Sequence, residues 1–355
     1  IVLERILAMH EDDVMTTIDA TRASFLDRHR HLHGILERGF GLVAERLRHL
    51  GVASDSITEN RRQLIGAYFT HEFSIEAAAL GNPSIVAAPD QSGLAAGEAR
   101  FIMSLRAIGE GHISSIEFRS GVIGADRSIR IDEPSRYAVM GDKEPYVYDK
   151  SFFATKLLDM GPPNEFEKFV FDRLDERFTM AELEAAIRQL DEHNINRLVS
   201  GETARLLHWL ASSNYRVSFP ASIDVSERVL FPSGPTESHG MEDARFVRFV
   251  DDDGSVTFYA TYTAFDGHQI LPQLIETADF VSFRVSTMSG QASRNKGIAV
   301  FPRKVDGYFM ALSRHDNVNN FLMTSTDIRV WRDAIMIQEP ERPWELMQLG
   351  NCGSP

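Results

Sequence analysis

Two runs of apolar and β-branched residues bracket a four-residue acidic turn in this chain. Phe246-Val247-Arg248-Phe249-Val250 precedes Asp251-Asp252-Asp253-Gly254, and Val256-Thr257-Phe258-Tyr259-Ala260-Thr261-Tyr262 follows it. Strand-forming residues on both sides of an Asp-Gly turn predict an antiparallel hairpin. A second hairpin is predicted roughly fifty residues on, where 297–301 and 308–312 flank Arg303-Lys304-Val305-Asp306-Gly307. Upstream, Ser84-Ile85-Val86-Ala87, Phe101-Ile102-Met103-Ser104-Leu105 and Ile113-Ser114-Ser115-Ile116-Glu117-Phe118 are separated by Gly, Pro, Asp and Ser. Recurring hairpins with no helices between them restrict this part of the chain to a repeated β architecture, a propeller or a large sandwich.

Two stretches depart from that texture. In residues 1–60, Leu26, Leu32, Ile35, Leu36, Phe40, Val43, Leu47 and Leu50 recur at spacings of three and four, which predicts helix. From Asn164 to Ser212, Phe166, Phe169, Val170, Leu174 and then Leu183, Ala186, Ile187 and Leu190 follow a 3.6-residue period. Thr179-Met180-Ala181-Glu182 has the form of a capping box. The expected organisation is a helical segment over residues 1–65 and a β region over 66–355, interrupted by a helical insertion at about 160–212. His29, His31 and His33 would not share one helix face, so a solvated polar face is expected there and no metal.

The chain has 355 residues, 43% hydrophobic and 25% charged, enough to bury a full core. Its formal charge of −14 argues against a nucleic-acid or anionic-membrane binder, leaving room for a local basic pocket. No apolar run reaches the length of a membrane span, and Ile1 to Met9 make a poor signal peptide. One cysteine, Cys352, allows no internal disulfide and suits a reducing compartment, so a cytoplasmic location is expected. The chain opens without methionine and stops at Asn351-Cys352-Gly353-Ser354-Pro355, a turn-like stretch, so both ends are expected to be trimmed.

Three clusters are richer in polar groups than strand packing requires. They are Glu72 to Glu76 with Asn82-Pro83-Ser84 and Arg106 to His112; Glu237 to Arg245; and Arg294-Asn295-Lys296-Gly297 with Ser313-Arg314-His315-Asp316. Any one of them reads as turn residues and surface ion pairs. Together, carboxylates followed by two cationic clusters suit sugar or phosphate chemistry, because an acid protonates a leaving oxygen and Lys or Arg binds an anion.

Gly240-Met241-Glu242-Asp243-Ala244-Arg245-Phe246-Val247, followed by Tyr259-Ala260-Thr261-Tyr262-Thr263-Ala264, resembles the Glu-Asp-Pro-Arg strand motif of glycoside hydrolase family 130. That family comprises β-mannoside phosphorylases and related mannosidases built on a five-bladed β-propeller. Asn295 to Pro302, Ser313 to Asp316 and Asn82-Pro83-Ser84-Ile85 resemble further segments of the family, in order, over roughly residues 82–355. The resemblance implies a mainly β fold, a five-bladed propeller incomplete in this chain, with appended α-helical segments. It assigns the catalytic acid to Asp243, sugar contacts to Asn82 and Arg106, and phosphate contacts to Lys296 and Arg314. Ala244 stands where the family has proline, and lysine at 296 gives a point charge where an arginine fork is common. The family's last blades would lie beyond Pro355.

The implied activity is inverting phosphorolysis of a β-mannoside or manno-oligosaccharide, with inorganic phosphate as co-substrate and no cofactor or metal. A phosphorylase needs one acid and several cations, because phosphate is already a nucleophile. A hydrolase needs a second carboxylate as base, and Glu237 and Glu110 are the candidates. Glu242 is a weak partner for Asp243, since neighbouring side chains on a regular strand point to opposite faces. Tyr259 and Tyr262 alternate with small residues, a pattern that fits a core ring or a sugar-stacking ring; Tyr262 is taken as a sugar contact. His239, His268 and His315 are not needed by this chemistry. The rivals are a β-mannosidase on the same scaffold and a non-catalytic sugar-binding propeller. A homo-oligomer is expected, and the apolar helical faces should pack on one another, on the propeller wall or at a subunit contact.

Overall fold

The computed structural model describes residues 1–193, 197–351 and 353–355; Cys352 and the side chain of Leu190 lie outside the described residues. The chain divides into two compact units, one of Ile1–Ser74 with Ser135–Val139 and one of Ile75–Pro134 with Met140–Pro355. The first unit holds α1 (Val2–Ala8), α2 (Glu11–Phe25), α3 (Leu32–Gly41), α4 (Ala44–His49) and α5 (Glu59–Tyr68). Val14, Ile18, Leu36, Phe40, Leu47, Leu64 and Ile65 form its core. The breaks between these helices re-phase the apolar period, so Leu26 and Leu50 end exposed while Leu32, Leu36 and Phe40 are buried. α3 and α5 cross at Gly39 and Gly66, where a Cβ on Gly66 would collide with the Leu36 carbonyl. His29 meets Glu72 at 2.9 Å, a carboxylate that the helical period alone did not place beside it.

The second unit opens with β1 (Ala79–Ala87), β2 (Ala99–Ile108), β3 (Ser114–Ile123) and β4 (Ile129–Ile131). Four short strands and four helices follow: β5 (Val139–Met140, at the division between the units), β6 (Asp142–Glu144), β7 (Val147–Asp149), α6 (Lys150–Met160), α7 (Glu165–Phe171), β8 (Arg177–Thr179), α8 (Met180–His193) and α9 (Arg197–Ser212). The rest is strand: β9 (Tyr215–Ser218), β10 (Arg228–Leu230), β11 (Gly240–Val250), β12 (Val256–Phe265), β13 (Ile270–Thr277), β14 (Ser282–Thr287), β15 (Ala299–Val300), β16 (Phe309–Ser313), β17 (Asn320–Ser325) and β18 (Asp333–Gln338).

These strands build several sheets, none closed on itself. β1, β2, β3 and β4 form one antiparallel meander, and β11, β12, β13 and β14 a second. A single parallel bridge, Ser114 to Gly240, joins them. β15, β16, β17 and β18 form a separate four-stranded antiparallel meander. Both hairpins read from the sequence are present, Val250 pairing with Val256 and Val300 with Ala311. Asp306 and Gly307 both take positive φ at the second turn, as a tight hairpin turn requires. Thr179 and Glu182 form the reciprocal capping box at the start of α8, Glu182 Oε2 accepting from Thr179 N at 2.7 Å.

Aromatic rings fill the space beside the bridge. Phe118 of β3 meets Phe246 of β11 and also Phe280 and Phe283, with centroids 5.6–5.9 Å apart. The helices of this unit have their own core of Phe153, Leu157, Val170, Phe178, Leu183 and Leu207, anchored by Tyr148, whose hydroxyl donates to the Ala211 carbonyl. No helix among the described residues is long and apolar enough to cross a membrane.

Candidate functional site

Two irregularities in otherwise regular strands gather the polar residues. In β11, Glu242 pairs with Thr263 and Arg245 with Thr261, so β11 uses one more residue than β12 between these pairs. That is a β-bulge, and Asp243 sits in it with φ at 55°. In β1, Gly81 pairs with Arg106 and Ser84 with Ser104, a second bulge that contains Asn82 with φ at 50°. Left-handed backbone is unusual for a residue with a Cβ, and Asn and Asp are among the types that tolerate it. Ser84 Oγ accepts a hydrogen bond from the Phe246 amide at 2.9 Å and fixes β1 against β11.

The bulges bring together residues far apart in sequence. The Asn82 side-chain amide donates to Asp243 Oδ1. Arg106, across from Gly81 on β2, places Nη1 3.5 Å from the same oxygen and Nη2 2.7 Å from Glu242 Oε1. Its Nε donates to Ser114 Oγ at 2.9 Å, beside the parallel bridge. Lys296 Nζ lies 2.7 Å from Glu242 Oε2. Glu242 therefore stands between two cations and is only 13% exposed, whereas Asp243 is 28% exposed. Among the described residues Asp243 Oδ2 has no hydrogen-bond partner, so one oxygen is held and the other is open.

This corrects the reading of Glu242 as a weak partner for Asp243. Strict alternation would turn Glu242 away from Asp243, but the extra bulge residue breaks the alternation and Arg106 reaches both carboxylates. A Glu-Asp pair inside a strand was the available signal, and it needed the bulge to be interpretable.

Lys296 lies on the loop before β15, where Asn295 and Gly297 have φ of 62° and 83°. The Asn295 amide donates to the His315 carbonyl at 2.5 Å, tying this loop to the one that carries Arg314. Arg314 packs beside Gly297 and Asn351, and among the described residues it has no ion-pair partner. Asn351 accepts from Arg245 at 2.9 Å. Two cations, Arg106 and Lys296, thus contact the two carboxylates, and Arg314 lies beside Gly297 on the loop that carries Lys296.

The remaining candidates sit elsewhere. Glu237 is fully buried, and four donors fill its carboxylate: Tyr215 Oη at 2.6 Å, the amides of Ser233 and Gly234 at 2.7 and 2.9 Å, and Tyr262 Oη at 2.5 Å. Three of these donors converge on Oε1 and the fourth on Oε2, and with no exposed surface the carboxylate is shut off from a water nucleophile, so this geometry does not suit a general base. Tyr262 is 3% exposed with its hydroxyl on Glu237, which removes its ring from any sugar-stacking surface. Burial, reinforced by the Glu237 charge, pushes both tyrosine hydroxyls well above their ordinary range, so both remain donors. Glu110 stands on an exposed turn, Glu110–His112, outside the contacts of Asp243. Among the described residues no three His, Cys, Asp or Glu side chains gather as a metal ion would require.

No protein-family model matches the chain. The β-1,2-mannobiose phosphorylase of Listeria innocua is 27% identical over 109 residues, which make up 29% of this chain and 29% of that protein. The solved structure of β-1,2-mannobiose phosphorylase from Listeria innocua, in complex with β-1,2-mannobiose, is 16% identical, covers 78% of this chain and 67% of its own, and has a TM-score of 0.32. A glycosyl hydrolase from Bacteroides ovatus is 11% identical over 75% of this chain and 53% of its own, with a TM-score of 0.34. A third structure is described with the words "The GH130 family of mannoside phosphorylases contains glycoside hydrolases that target beta-1,2 mannosidic linkages in Candida mannan"; it is 10% identical, covers 75% and 54%, and has a TM-score of 0.33. The chain thus spans about half to two thirds of these solved chains, and its match to the curated relative is shorter still. The names these relatives carry are those of a β-1,2-mannobiose phosphorylase, a glycosyl hydrolase and the GH130 family, and the likeness of this chain is to proteins so described.

Proposed function

We propose that this chain is part of a carbohydrate-active enzyme that phosphorolyses β-mannosides with inversion and releases mannose 1-phosphate. Its three antiparallel meanders are read as blades of a five-bladed propeller, and it works in the cytoplasm as a homo-oligomer. The observation that carries the reading is the Asp243 carboxyl group, held through one oxygen by Asn82 and Arg106, left open at the other, and set among cations.

In this reading Asp243 supplies its proton to the glycosidic oxygen as the bond to the anomeric carbon breaks. A phosphate oxygen forms the new bond from the opposite face. Arg106 and Asn82 hold the acid and meet the sugar. Lys296 and Arg314 bring up the phosphate, whose approach requires Lys296 to share or exchange its contact with Glu242. The printed name of the Listeria relative supports a β-1,2-linked mannoside as the first substrate to try. Glu242 favours a second reading: a carboxylate beside Asp243 supplies what a β-mannosidase needs, and water would then replace phosphate.

Incubation of the chain with β-1,2-mannobiose, with and without inorganic phosphate, tests the choice. Phosphate-dependent release of mannose 1-phosphate is expected. Free mannose at an undiminished rate without phosphate would establish the hydrolase. Binding without turnover would favour a sugar-binding module. Asp243→Asn should lower turnover by about 10²–10⁴-fold while leaving the fold intact. Lys296→Ala and Arg314→Ala should raise the phosphate KM more than the mannoside KM, because each removes a charge-assisted contact to the anion.

A further inference from the structure

The buried hub around Glu237 is linked through β12 to the strand position opposite the bulge. Glu242 pairs with Thr263 and Arg245 with Thr261, so the β12 residue facing the bulge is Tyr262. Its hydroxyl donates to Glu237 Oε2 at 2.5 Å. On the next strand Tyr262 pairs with Gln273, whose side chain donates to Thr236, the neighbour of Glu237. The single turn Pro235–Glu237 is thus fastened to both β12 and β13. Glu237 Oε1 draws in the amides of Ser233 and Gly234 and the Tyr215 hydroxyl, so the carboxylate cannot follow Tyr262 if that strand shifts.

A bulge with left-handed backbone at a residue bearing a Cβ is strained and persists only where its surroundings hold it. Relaxation to a regular ladder would shift the register by one residue and send Asp243 to the other face. We infer that Glu237 is a positioning residue for Asp243: through Tyr262 it clamps β12 in the one register that keeps the bulge, and with it the acid, in place. This rests on the reading of Asp243 as the acid. It gives Glu237 and Tyr262 a role in the reaction without contact with sugar or phosphate.

The test compares two tyrosines that donate to the same carboxylate. Tyr262→Phe keeps the ring and removes the bond to Glu237 from the residue paired opposite the bulge; Tyr215→Phe removes a bond to the same carboxylate from β9. With β-1,2-mannobiose and inorganic phosphate as probes, Tyr262→Phe should lower kcat by up to about 10²-fold, the scale on which a misplaced catalytic group costs rate. KM should move little, since only the transition state uses the acid's position. Tyr215→Phe should lower the melting temperature by a similar amount and leave kcat near that of the parent. In crystal structures, Asn82 and Asp243 should stand apart in Tyr262→Phe and remain hydrogen-bonded in Tyr215→Phe, a readout that does not depend on turnover. Equal kcat losses in both variants, or an unchanged bulge and unchanged kcat in Tyr262→Phe, would overturn the inference. If Asp243→Asn itself leaves turnover intact, the functional reading fails, and the structures of the two tyrosine variants still report whether the clamp exists.

Discussion

Glu117 shows what a single buried carboxyl does to this molecule. It lies on β3 with 5% of its surface exposed, 3.1 Å from Arg119, which also meets Glu76 at 2.6 Å. Burial pushes the Glu117 carboxyl up to about 7, the neighbouring Glu76 adds to the rise, and Arg119 opposes it. Glu76, hydrogen-bonded to Glu117 and close to Arg119, is held below its ordinary range. In the unfolded chain Glu117 titrates near 4.5. Between about 4.5 and about 7 the folded state therefore holds the extra proton. By linkage this group lowers stability as pH rises across that window, and the loss persists above it. Glu117→Gln cannot ionise and should escape the loss. Its melting temperature relative to the parent should improve from pH 4.5 to pH 8; an offset independent of pH would show that the proton on Glu117 is not what matters.

At the scale of elements, close approach and irregular pairing matter more than propensity. The crossing of α3 and α5 depends on glycine at both 39 and 66, because backbone lies where either Cβ would go. Gly66→Ala would improve intrinsic helix propensity by about 1 kcal/mol. It should nevertheless destabilise the first unit by about 1–3 kcal/mol, the usual cost of forcing atoms into a packed contact. Urea denaturation followed by helical circular dichroism would check this, and a more stable variant would show that the helices can separate at little cost. The hairpins and the capping box were legible because each is specified by residues within a few positions of one another. The bulges at Asn82 and Asp243 were not, since a bulge exists only in relation to the strand opposite. For that reason strict alternation put Glu242 on the wrong side of its strand, and local pattern made Glu237 and Tyr262 candidates for the site when both are buried and bonded to each other.

At the scale of the whole molecule, β18 is one of the two edge strands of its four-stranded meander, and Ile335, Met336 and Ile337 there are 69%, 45% and 53% exposed. An exposed apolar edge offers unpaired backbone groups to any similar strand and is a site of self-association. The double substitution Ile335→Lys with Ile337→Lys should reduce concentration-dependent association, measured by analytical ultracentrifugation, without moving the far-ultraviolet circular dichroism. Association that is unchanged in the double variant would direct attention to another surface.

The sequence by itself determined the strand-and-turn register of the two hairpins, the two helical stretches, and the order of the motifs around Asn82, Asp243, Lys296 and Arg314. These features arise from side-chain periodicity, turn chemistry and short spacing, all of which act locally. Only the tertiary structure decided which charged groups touch. Arg106 reaches both Glu242 and Asp243, and Asn82 meets Asp243 across 161 positions, because two bulges in neighbouring meanders face one another. Burial made the same division among the acids: four donors converge on Glu237 from β9, β12 and one turn, and Asp243 keeps an oxygen open. A carboxyl group becomes a structural anchor or a reactive acid according to the donors that surround it, and those donors come from distant parts of the chain.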